Sequence, residues 1–133
     1  MKRHDWVNKL FHSINELEKE PFEWGKMDCC MFSARIVDAM CDTSYAIDLA
    51  KKYDNEKSAL TYIKSFGSIK EAVSSWLGEP SDKTIYTQRG DVVLFENDGR
   101  ETLGVCVGST IVSTGEFGIV HTPVYNALYR WAV

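Results

Sequence analysis

A thiol in the first turn of a helix is a candidate nucleophile, and the segment Pro21-Phe22-Glu23-Trp24-Gly25-Lys26-Met27-Asp28-Cys29-Cys30 offers one. Asp28 is a good N-cap, and the stretch from Cys29 to Met40 contains no glycine or proline, so a helix is expected to begin at Cys29. There the sulfur meets the positive end of the helix dipole and unpaired N–H groups, both of which favour thiolate over thiol. The alternative is that Cys29 is a small apolar plug in the core, as most free cysteines are. Apolar phasing places Cys30 almost as well as Cys29. The chemistry also needs a proton acceptor, and the histidines are His4, His12 and His121. His121 falls in a late strand-like segment and is the candidate base; packing or plain exposure is the competing reading. The four cysteines and three histidines show no metal-ligand spacing, so no metal and no cofactor is expected.

The elements that position these residues follow from periodicity. Between His4 and Glu18, Trp6, Val7, Leu10, Phe11, Ile14 and Leu17 form one apolar stripe, and Pro21 closes the helix they imply. In the Cys29–Met40 helix, Arg35, Asp38 and Asp42 mark a polar face, opposite Cys29, Ser33, Ile36, Val37 and Met40. A short helix is expected near Ser58–Phe66. Another is opened by the capping-box pattern Ser68-Ile69-Lys70-Glu71 and ends by Gly78. Beyond Pro80 the pattern changes to short apolar runs separated by turns: Asp91–Phe95, Leu103–Val107, Thr110–Ser113 and Gly118–Thr122, with an aromatic end from Tyr125 to Val133. Helices first and antiparallel strands after them define an α+β class.

The chain has 133 residues, room for one domain spanning 1–133. With 44% hydrophobic and 26% charged residues it is not a disordered chain. A net charge of −4 without a basic run argues against nucleic acid as a partner. No apolar run is long enough for a membrane span, and no secretory signal is read, so the thiols are expected to stay reduced.

In order along the chain, Trp24-Gly25 before Asp28-Cys29, then Gly90-Asp91-Val92-Val93-Leu94-Phe95, then Gly104-Val105-Cys106-Val107-Gly108 resemble the motifs of the NlpC-type cysteine peptidases. These are papain-like hydrolases that cut peptides in bacterial cell walls. The resemblance runs from Phe22 to about Val120, and the form Pro-Phe-x-Trp-Gly-x-x-Asp-Cys-Cys is similar to a compact phage-encoded branch associated with tail genes. It implies a papain-like fold, with N-terminal helices bearing the nucleophile Cys29 followed by a small antiparallel sheet. It also implies a virion protein made in the host cytoplasm. The departures are specific. Where the active family carries its His, two residues before the strand glycine, this chain has Thr102. The next strand offers Ile111-Val112-Ser113 where a second polar residue, often His, is usual, and Met31 replaces a small glycine. The expectation is a tail-tip or tail-assembly structural protein, a pseudoenzyme whose partners are other phage tail proteins. The alternative is an active hydrolase of peptidoglycan or another amide, with Cys29 as nucleophile and His121 as an irregular base. The N-terminal helix and Tyr125–Trp131 are the candidate partner surfaces, with Phe11, Tyr125, Tyr129 and Trp131 as its aromatics.

Overall fold

The computed structural model describes residues 2–133. Five helices precede a five-stranded antiparallel sheet, in agreement with the α+β reading. The first helix, α1 (Trp6–Leu17), buries Leu10, Ile14 and Leu17. It starts at Trp6, the first residue of the apolar stripe, and Phe11 is left 41% exposed beneath the Arg89 guanidinium. The central helix, α2 (Cys29–Cys41), is buried on nearly every side, with Phe32, Ala34, Ile36 and Met40 fully covered. Its expected polar face is narrow because α1, a third helix and the sheet all pack around it. Arg35 remains at the surface, paired with Glu20 at 2.9 Å. Asp42 ends the helix in the left-handed region, at φ 58°.

The third helix, α3 (Tyr45–Ala50), has no counterpart in the sequence reading. It is too short to show a period, and its start is secured from elsewhere: the Asp38 carboxylate of α2 accepts from the Tyr45 and Ala46 amides, each at 2.9 Å. Next, α4 (Glu56–Phe66) begins earlier than expected because Asn55 caps it, accepting from Ser58 N while Ser58 Oγ accepts from Asn55 N. In α5 (Ile69–Leu77), Ser68 Oγ accepts from the Glu71 amide as a cap should, and Gly78 ends the helix at φ 88°.

The strands are β1 (Val92–Asn97), β2 (Arg100–Cys106), β3 (Thr110–Gly115), β4 (Gly118–Pro123) and β5 (Ala127–Trp131), in spatial order β4-β3-β2-β1-β5. After β4 the chain crosses from one margin of the sheet to the other through a single turn at Val124–Asn126, so that β5 lies beside β1. This changes the reading of the aromatic end. Trp131 is a core residue, 1% exposed, and its Nε1 donates to the Gly78 carbonyl at 3.0 Å. Tyr129 is half-buried with the Lys70 ammonium over its ring. Of the four aromatics proposed for a partner surface, Trp131 is withdrawn, because a terminal strand inserted against β1 turns that side chain inward.

The pleat sends alternate side chains to two apolar clusters. Leu94, Leu103, Val105, Val112 and Trp131 join the helices. Val93, Phe95, Cys106, Ile111 and Ala127 form a smaller cluster on the other face. No helix is long and apolar enough to cross a membrane, among the described residues.

Candidate functional site

The loop before α2 is tied down by the residue that caps it. Met27 N donates to Glu23 O at 2.7 Å and Glu23 N to Met27 O at 3.1 Å, closing a tight turn around Trp24-Gly25. Gly25 has φ 85°, and a Cβ there would lie 2.8 Å from Asp54 Cα, so both conformation and space require glycine. The buried Asp28 carboxylate accepts from Met31 N at 2.9 Å, the helix cap proper, and from Gly25 N at 2.9 Å. Tyr53 Oη donates to the same carboxylate, 3.0 and 2.9 Å from its two oxygens. Burial raises the Asp28 pKa in spite of these donors. Burial likewise drives the Tyr53 phenol far up, leaving it a neutral donor. Loop, helix start and the Tyr53 segment are thus joined at one side chain.

The two adjacent thiols are not equivalent. Cys29 is half-buried and Cys30 is buried. The neighbouring Cys30 thiol, and to a lesser degree the Leu103 backbone N–H, lower the Cys29 pKa against the opposing effects of burial and of Asp28. Cys30 moves the other way, well above the ordinary thiol range, through the neighbouring Cys29 thiol and its own burial. Its greater exposure and its lowered pKa favour Cys29 over Cys30, a choice the residue pattern alone left open.

That Leu103 amide is available because the ladder between β2 and β3 is short. The two strands pair at Val105↔Val112 and Cys106↔Ile111 and then separate. Gly104 permits the close approach at the last pair: a Cβ there would lie 2.7 Å from the Val112 carbonyl. Past that point Ser113 Oγ donates to Leu103 O at 2.5 Å, substituting for a strand partner. Ser33, one turn beyond Cys29, is fully buried with no hydrogen-bond partner for its hydroxyl among the described residues.

Thr102 stands where the resemblance to the NlpC-type peptidases leads one to expect a His, and the register decides where its side chain goes. Phe95 and Thr102 are cross-strand partners, as are Leu94 and Leu103. Partners share a face. Leu94 and Leu103 belong to the helix-side cluster, and Phe95 to the cluster on the other face. Thr102 is therefore on the side of the sheet away from Cys29, with its Oγ1 donating to Arg100 O at 3.2 Å. His121 is on the marginal strand β4, exposed, opposite Val112. Two strand spacings, about 10 Å, separate its strand from β2, and no hydrogen bond joins it to Cys29 among the described residues. His4 and His12 are exposed at α1.

Sequence reasoning found Asp28 and Cys29 but missed Tyr53, the Leu103 amide and the part played by Ser113. Tyr53 lies in a polar stretch with no local signal. The amide is a backbone group whose availability depends on where two strands separate.

The sheet and the helix-borne thiol define an α+β domain with a polarised cysteine pair at a helix start. The chain belongs to the family described as Domain of unknown function (DUF6950), whose model matches residues 1–133. No curated protein matches it.

One consequence is directly measurable. Cys29 is expected to react with iodoacetamide before Cys30, Cys41 and Cys106, whose pKa values are all raised, chiefly by burial except at Cys30 where the Cys29 contact leads. Because thiolate is the reactive form, the rate at Cys29 should reach half its plateau at a lower pH than the rates at the other three thiols. Peptide mass spectrometry across a pH series reads this directly; modification of Cys41 ahead of Cys29 would contradict it.

Proposed function

We propose that this chain is a structural component of a phage tail, at the tail tip or in tail assembly, built on a degenerate NlpC-like domain that does not hydrolyse its partners. The supporting observation is the orientation of Thr102. The residue standing for the family His is not an acid–base group, and it faces away from the thiol. A cysteine hydrolase needs an imidazole within hydrogen-bond reach to take the thiol proton and return it to the leaving amine. Asp28 does not take that role, since its carboxylate is occupied by Met31, Gly25 and Tyr53. The tail assignment itself rests on the resemblance of Pro21–Cys30 to the phage-encoded branch. The exposed rings of Phe11 and Tyr125 are suited to contact with neighbouring tail proteins.

The reading as an active hydrolase of peptidoglycan or another amide has one point in its favour, the lowered pKa of Cys29 beside the Cys30 thiol. Mass spectrometry of purified virions and of tail-assembly intermediates tests the preferred reading. The chain is expected in at least one of them. Its absence from both would overturn the assignment.

A further inference from the structure

The two margins of the sheet are finished differently. β5 is covered, because Ser81 N–H donates to Arg130 O at 2.8 Å and Arg130 N–H to Ser81 O at 2.9 Å. β4 packs principally on β3. Its sequence Gly118-Ile119-Val120-His121-Thr122-Pro123 carries no lysine or carboxylate, and its register with β3 is unbroken. Apart from the terminal proline, it lacks the devices that blunt an open strand.

The ladder fixes which backbone groups are free. The two-residue connection Glu116-Phe117 makes Gly115 and Gly118 a hydrogen-bonded pair, and such pairs alternate along an antiparallel ladder. Gly118, Val120 and Thr122 therefore direct their polar groups at β3, while Ile119 and His121 present N–H and C=O outward. Pro123, next in that outward row, has no N–H. Free groups on two residues flanking Val120 are self-complementary. A second copy running antiparallel, with its His121 opposite Ile119 and its Ile119 opposite His121, satisfies all four and sets Val120 against Val120. Moving the two-fold axis to Thr122 would require the N–H that Pro123 lacks. Moving it to Gly118 would draw the Glu116-Phe117 turn into the ladder.

A second, side-chain observation agrees with this register. Phe117, fully exposed, and Tyr125, 83% exposed, are among the largest uncovered apolar side chains and lie just beyond the two ends of β4. Pairing about Val120 brings Phe117 of each copy opposite Pro123 of the other, beside Tyr125. We infer that β4 is a self-pairing strand that joins two copies of this chain into one continuous antiparallel sheet about a two-fold axis at Val120. The contact involves one short strand and two aromatic side chains from each copy. It is smaller than the ~1,200 Å² of a stable interface, so the dimer is concentration-dependent. The inference is independent of the tail assignment.

Sedimentation velocity of the intact chain, from about 1 µM to about 1 mM, is expected to show a rise from one chain mass toward two. Diamide oxidation of Val120→Cys should give a covalent dimer, because the axial pair brings Cα atoms to about 4.5 Å. Thr122→Cys should not, since its two copies stand about 13 Å apart in this register; the unsubstituted chain controls for the native thiols. His121→Pro, which removes an outward donor and no bond to β3, should hold the chain monomeric with its circular dichroism unchanged. A monomer at every concentration would overturn the inference, as would a dimer in which Val120→Cys cross-links no better than Thr122→Cys.

Discussion

Replacing Asp28 with alanine is expected to cost about 3–7 kcal/mol of folding stability. Loss of a helix cap accounts for about 1 kcal/mol of this. The larger part arises because Tyr53 Oη and Gly25 N, both of which donate to the carboxylate, are left as buried donors without acceptors, at about 1–3 kcal/mol each. Domains of this size have roughly 5–15 kcal/mol in total, so the variant should lie close to the unfolding threshold. Asp28→Asn should cost less than alanine: its carbonyl keeps the Met31 bond, and its amide can donate to Tyr53 Oη, which also accepts. Urea denaturation read by circular dichroism distinguishes the three proteins. An Asp28→Ala midpoint equal to that of the parent would show that the carboxylate does not join loop, helix and Tyr53 energetically.

The parts of this structure legible in the sequence are those with local causes. The Asp28 cap, the apolar stripe of α1, the Ser68 cap and the turn-bounded strand segments follow from capping chemistry and periodicity within a few residues. The parts that escaped have distant causes. The start of α3 is secured by Asp38 from another helix. The inward turn of Trp131 requires the crossing from β4 to β5, which puts the last strand beside the first. At the site, the sequence identified a thiol at a helix start and the absence of a base at residue 102, but it could not choose between Cys29 and Cys30. That choice depends on which thiol remains accessible and on what surrounds each sulfur, and both follow from tertiary packing. Nor could it reveal that position 102 faces the opposite side of the sheet, since the facing of a strand residue is set by register.

The second large effect concerns that position. If a His at this position were all that a cysteine hydrolase required here, Thr102→His would produce amide hydrolysis. The register makes the opposite outcome the expected one. A histidine at 102 enters the cluster of Phe95, Cys106 and Ile111 on the far face, where Thr102 is only 8% exposed. The sheet then lies between its imidazole and Cys29. Enlarging a packed, buried position commonly costs about 1–3 kcal/mol, so the variant should be less stable than the parent and gain no amide hydrolysis. Any gain of amide hydrolysis dependent on Cys29 would mean that residue 102 reaches the thiol after all.

The most direct measurement is the turnover of peptidoglycan fragments by the intact protein, compared with Cys29→Ala and followed by mass spectrometry of the released peptides. A thiol without an imidazole partner should leave the fragments unchanged in both incubations. Released peptides in the parent incubation that disappear with Cys29→Ala would contradict the non-hydrolytic reading and establish the chain as a cysteine hydrolase.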